Sequence, residues 1–118
     1  MRTFIKVMVV ITTMASSIAQ AALVDSGCVT VTAVVNIQAQ GAVLLALSPA
    51  IPGCTPNTTP GIEFAVGNNG ITAATLNSYL ASGLSAFATG QRVMVIYDDS
   101  TSNCFGLVIA NGGFHGEC

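Results

Sequence analysis

Four cysteines, Cys28, Cys54, Cys104 and Cys118, span a short chain and restrict what it can fold into more than any other feature. Their meaning depends on the compartment, and the N-terminus speaks to that. Arg2 and Lys6 form a positive start, and Val7 to Ala19 is an apolar stretch. That stretch is too short to cross a hydrocarbon core of about 30 Å. Ala19-Gln20-Ala21 places small residues where a signal peptidase cuts. Residues 1–21 read as a secretory signal peptide and 22–118 as one exported domain, periplasmic or secreted. In an exported chain this small, an even number of cysteines reads as disulfides, and four allow three pairings. None belongs to a C-x-x-C pair and His115 is the only histidine, so no zinc site is expected.

Composition excludes several classes. The apolar set makes up 52% of the chain and charged residues only 7%, which rules out a disordered tail. Beyond the first six residues there is one cation, Arg92, against five acids, Asp25, Glu63, Asp98, Asp99 and Glu117, a formal net charge of −4. A nucleic-acid reader needs a basic stripe to displace counterions from phosphate, so no nucleic acid is expected as a partner. No later stretch reaches the roughly 18 uninterrupted apolar residues of a membrane span.

The pattern is mostly that of strands. Val29 to Ala39 alternates, with Val29, Val31, Ala33, Val35 and Ile37 on one face, as in a half-buried antiparallel strand. Gln40-Gly41 is a turn and Ala42 to Leu47 the returning strand. Ser48 to Pro60, with Pro49, Pro52, Pro56 and Pro60, is a loop holding Cys54, and Ile62 to Val66 is a third strand. After Gly67-Asn68-Asn69-Gly70 comes a helix. Thr72 is its N-cap, accepting from the amide of Ala74 or Thr75. Ile71 and Leu76 stand as a hydrophobic staple. Leu76, Leu80, Leu84 and Phe87 fall on one face beside Tyr79 and Gly83, and Gly90 is the C-terminal stop. Arg92 to Asp98 is a fourth strand, apolar on both faces and so central or covered. Phe105 to Ala110 is a fifth, followed by a glycine-rich tail to Cys118. Three strands, a helix and two strands is the order of a five-stranded OB-fold barrel, βββαββ.

Leu76-Asn77-Ser78-Tyr79-Leu80-Ala81, followed by Ala86-Phe87-Ala88-Thr89-Gly90-Gln91-Arg92-Val93-Met94-Val95-Ile96-Tyr97, resembles the helix-to-strand segment of the subtilase-cytotoxin B-subunit-like family of small exported bacterial proteins. A cysteine before the third strand and another after the fourth, Cys54 and Cys104, fit the same pattern. The likeness covers Cys54 to Phe105. It implies an OB-fold domain and a ring-forming homo-oligomer, a pentamer, that in the toxin binds cell-surface glycans. It also implies Cys54–Cys104 as one disulfide, leaving Cys28–Cys118 as the other. A bond closing a loop of about 50 residues is worth roughly 4 kcal/mol in the chain-entropy view. That is a large share of the 5–15 kcal/mol typical of a whole domain. The family's sugar-contacting residues lie toward its N-terminal half, where this chain has no matching motif, and it has no tryptophan to stack on a pyranose ring.

Candidate chemistry is sparse. His115 with Asp98 or Asp99 has no G-x-S-x-G elbow to make a nucleophile of a serine. Asp98 and Asp99 are adjacent at a strand end and point to opposite sides, which is poor geometry for a paired acid and base. Asp99, Thr101 and Asn103 alternate as calcium-loop ligands do, but no glycine and closing glutamate follow; turn chemistry accounts for them. Asn57-Thr58-Thr59 matches a glycosylation acceptor, which matters only in a eukaryotic secretory pathway. Arg92 is a strand-end charge paired with an acid, or an anchor for an acidic ligand or a neighbouring subunit. The sequence therefore predicts an exported binding module without catalytic, metal or cofactor residues, recognising a glycan or a protein surface. The alternative is a disulfide-stabilised structural surface or fibre subunit built by strand pairing.

Overall fold

A computed structural model describes residues 23–118; the signal-peptide reading of 1–21 lies outside them. The fold is mainly β with a single helix. Its strands are β1 (Leu23–Asp25), β2 (Thr30–Ile37), β3 (Ala42–Ser48), β4 (Ile62–Ala65), β5 (Val93–Asp98) and β6 (Phe105–Asn111), with α1 (Ala73–Thr89) between β4 and β5. They form one mixed sheet in the order β1-β5-β6-β4-β3-β2. Neighbours run antiparallel except β4 and β6, which are parallel.

Five strands in an OB-fold-like barrel are expected; six are present, in a sheet that is not closed, with β1 and β2 at its two edges. The reason lies in residues 23–37. The first part of this stretch runs along β5, with Leu23 opposite Asp98 and Asp25 opposite Ile96. Val29 then bridges Val93, each amide donating to the other's carbonyl at 2.9 and 2.8 Å. From Thr30 onward the chain leaves β5 and pairs with β3 instead. Between the two parts the backbone turns at Gly27, φ +67°, whose amide donates to the Asp25 carboxylate at 2.8 Å.

The alternation of β2 also breaks. A bulge between Val31 and Ala33 shifts the register, so Val31 is buried but Val34, not Ala33, packs on the core, and Val35 is 45% exposed. One inserted residue moves every later side chain to the opposite face.

The core lies on the inner face of the sheet, where Val29, Leu45, Ile62, Phe64, Val93 and Val95 are at most 1% exposed. The helix covers it. Thr72 caps α1 by accepting from the Thr75 amide at 3.2 Å, while the Thr75 hydroxyl accepts from the Thr72 amide at 2.8 Å, a reciprocal capping pair. Gly90, φ +70°, ends it in the left-handed region. The buried stripe is not the expected one. Leu76, Gly83 and Ala86 are buried and Tyr79 and Leu80 pack against the core, but Leu84 and Phe87 are 47% and 52% exposed. Close approach decides this. A Cβ on Gly83 would lie 2.7 Å from Leu45 Cδ2, so the helix meets the sheet through its smallest residues and turns its largest outward.

Of the three possible pairings the disulfides are Cys54–Cys104 and Cys28–Cys118, with Cα atoms 5.4 and 5.7 Å apart, and there is no free cysteine among the described residues. The first is buried and ties the Pro-rich loop to the start of β6; the second, half-exposed, holds the tail against the residue before Val29.

Candidate functional site

A shallow groove of about 260 Å³ lies between α1 and β6, lined by Ser78, Tyr79, Ser82, Leu107, Val108 and Ile109. Its floor is rigid for local reasons. Phe64 stacks on Tyr79, ring centroids 4.6 Å apart at 22°, and the Tyr79 hydroxyl donates to the Leu107 carbonyl. Gly106 makes room for Phe64: a Cβ there would collide with the ring. At one end the Asn111 side-chain amide donates to the Ser82 carbonyl at 3.1 Å. At the other, Asn69 Nδ2 donates to the Phe105 carbonyl at 3.2 Å. Ser78 and Ser82, one turn apart, put two hydroxyls on the helical wall. The lining holds no carboxylate, imidazole or cation. It offers hydroxyl groups and one aromatic ring to a neutral ligand. Sequence reasoning missed this groove; the Ser78–Ser82 spacing beside Tyr79 was its only signal.

The residues singled out from the sequence are not brought together. His115 is exposed in the tail, where its backbone amide donates to Glu117 Oε2 at 2.8 Å. That bond holds the Glu117 carboxyl below the usual range. Asp98 ends β5 and accepts from the Ser100 amide at 2.9 Å, a turn contact; Asp99 beside it is exposed. Thr101 and Asn103 belong to the same turn, with the Thr101 carbonyl accepting from the Cys104 amide at 3.2 Å. No cluster of three or more His, Cys, Asp or Glu residues able to hold a metal occurs among the described residues. Asn57 and Thr58 are exposed in a tight turn with φ of +49° and +63°.

Arg92, immediately before β5, is exposed. Among the described residues its side chain forms no ion pair, so the expected acidic partner within the domain is absent. Glu63 is the buried acid, 8% exposed in the middle of β4. Burial raises its carboxyl above the ordinary value near 4.5. Burial also raises Tyr97, with the charges of Asp99 and Asp25 adding to the effect. No helix among the described residues is long and apolar enough to cross a membrane. No family model, curated protein or solved structure matches the chain.

Proposed function

We propose that the chain is a non-catalytic exported binding module with an OB-fold-like barrel, akin to the subtilase-cytotoxin B-subunit-like family. In this reading it works as a homo-oligomeric ring, a pentamer, and recognises a neutral glycan or a protein surface. The barrel reading is supported by residues 23–37, which meet β5 first and β3 afterwards, and by the parallel β4–β6 pair. A five-stranded Greek-key barrel needs its first strand to serve two neighbours in this way. Export is consistent with two disulfides in a domain this small.

The observation that carries self-association is the apolar exterior. Leu84 and Phe87 stand one turn apart on a helix that has no charged residue, and Leu23, Val35 and Val108 are also at least 40% exposed. The exposed pair Leu84 and Phe87, side by side on one helix face, supports a contact site there. The groove with Ser78, Ser82 and Tyr79 is the ligand site in this reading. The fibre-subunit reading draws on β2, an eight-residue strand at the sheet edge. Its bulge twists that edge away from regular pairing, which weighs against it.

Light scattering after gel filtration of residues 22–118 tests the assembly. A discrete pentamer supports the ring, a monomer overturns it, and an open-ended series replaces it with the fibre subunit. A glycan array then tests the ligand: binding lost in Ser82→Leu with the fold intact supports the groove, and binding unchanged overturns it.

A further inference from the structure

Two asparagines of the chain are followed by glycine, at Asn69–Gly70 and Asn111–Gly112. That dipeptide carries a reaction within itself. The glycine nitrogen has no side chain beside it to hinder its approach to the asparagine side-chain carbon. The reaction requires both groups to be free, and the fold treats the two sites differently.

Asn69 and Gly70 are the central residues of a tight turn between β4 and α1, both exposed, with φ of +53° and +75°. The Ile71 amide closes the turn by donating to the Asn68 carbonyl at 3.0 Å. Among the described residues the Gly70 amide donates to no protein acceptor. Asn69 Nδ2 reaches across to β6, donating to the Phe105 and Gly106 carbonyls at 3.2 and 3.4 Å. Water replaces bonds this exposed at little cost, so the side chain is readily released. Asn111–Gly112 is held at every point. Asn111 ends β6 half-buried, paired with Val93, and its Nδ2 donates to the Ser82 carbonyl at 3.1 Å. The Gly112 amide donates to the Arg92 carbonyl at 2.8 Å, so the nitrogen that would react is already engaged.

We propose that Asn69–Gly70 is a self-modification site, which deamidates with water as its only co-reactant. The Gly70 amide gives up its proton to solvent and its nitrogen attacks Asn69 Cγ. A Cγ–N bond forms, the Cγ–Nδ2 bond breaks, and ammonia leaves with a proton taken back from solvent. Water then opens the resulting cyclic imide at either carbonyl, leaving aspartate or isoaspartate at position 69. An amide that donates to two carbonyls thereby becomes a carboxylate that only accepts, and it turns away from Phe105 and Gly106. The start of β6 loses its tie to the β4–α1 turn, beside the Glu63–Phe105 pair that joins β4 to β6. The inference goes beyond the proposed function and needs neither its ligand nor its assembly.

The test ages residues 22–118, disulfides intact, in mildly alkaline buffer and maps the peptides by mass spectrometry. Conversion at Asn69 should run about tenfold or more ahead of Asn111, the factor that freeing an engaged backbone amide supplies. In the reduced, urea-unfolded chain the two sites should react at similar rates, since only the fold separates them. Asn69→Asp, which installs one of the products directly, should speed hydrogen exchange at the start of β6 severalfold while the rest of the sheet keeps its protection. The proposal is overturned if Asn69 of the folded chain lasts as long as Asn111. It is equally overturned if the unfolded chain keeps the same preference, which would assign it to flanking sequence. Unchanged exchange in Asn69→Asp overturns the loosening of β6.

Discussion

The two faces of the sheet are built from the same strands, yet they obey different rules. On the inner face Ile62, Phe64, Val93 and Val95 are fully enclosed, and two glycines, Gly83 and Gly106, stand where any larger residue would strike Leu45 or Phe64. On the outer face Met94 and Ile96 are only half-buried and Val108 is 40% exposed, while Glu63 is buried. The inner face tolerates neither loss nor gain of volume, because it is packed to crystal-like density. The outer face along β5 and β6 is only partly covered by the chain, so its residues are held less tightly by packing.

The contrast is broken most severely at Phe64. Phe64→Ala removes the ring that packs on Tyr79 and sits under Gly106, and should lower unfolding free energy by about 3–5 kcal/mol in urea titration. Removing the buried bridge with Cys54→Ala and Cys104→Ala together should cost about 2–5 kcal/mol. The half-exposed Cys28–Cys118 bond should be reduced by dithiothreitol well before Cys54–Cys104, which mass-mapped alkylation over time would reveal. Gly83→Ala should destabilise by about 1–3 kcal/mol, because the new methyl must displace Leu45 or lift the helix.

Glu63 sharpens the contrast, because it lies on the outer face and is still buried. Its folded-state carboxyl titrates above its unfolded value, so its contribution to stability is complete below the ordinary value near 4.5 and is lost as pH rises through the folded one. Glu63→Gln should therefore raise the Tm at pH 7 and flatten the decline in stability over that window, a smaller effect than any of the core changes. Val108→Ser should be smallest for the single copy, within about 0.5 kcal/mol, since surface changes away from packed features seldom exceed that. A large loss of monomer stability on Val108→Ser would erase the distinction between the faces.

The helix was legible because its signals are local: Thr72, Thr75 and Gly90 satisfy backbone groups within one turn of themselves. Strand positions were legible to within a residue or two, from Ala42–Leu47 to Phe105–Ala110, for the same reason of short-range periodicity. The helix face was not. Leu84 and Phe87 look like core residues by spacing, and only the contact of Gly83 with Leu45 turns them outward. The alternation of Val29 to Ile37 misleads after Val31, since a bulge is set by what the strand must pair with on each side. Arg92, read as one half of a local ion pair, forms none among the described residues.

By itself the sequence determined the content of the protein: mainly strands, one capped helix between the third and fourth long strands, and four cysteines placed to be bridged. These follow from backbone hydrogen bonding and side-chain preference over a few residues, which any short window contains. The tertiary structure decided everything that depends on distance across the chain. It divided the first strand between β5 and β3, chose the small-residue face of α1 for the core, and aligned Glu63, Phe105 and Asp98 in one row across three strands. Those outcomes are set by close packing and strand register between residues tens of positions apart, and no local pattern carries that information.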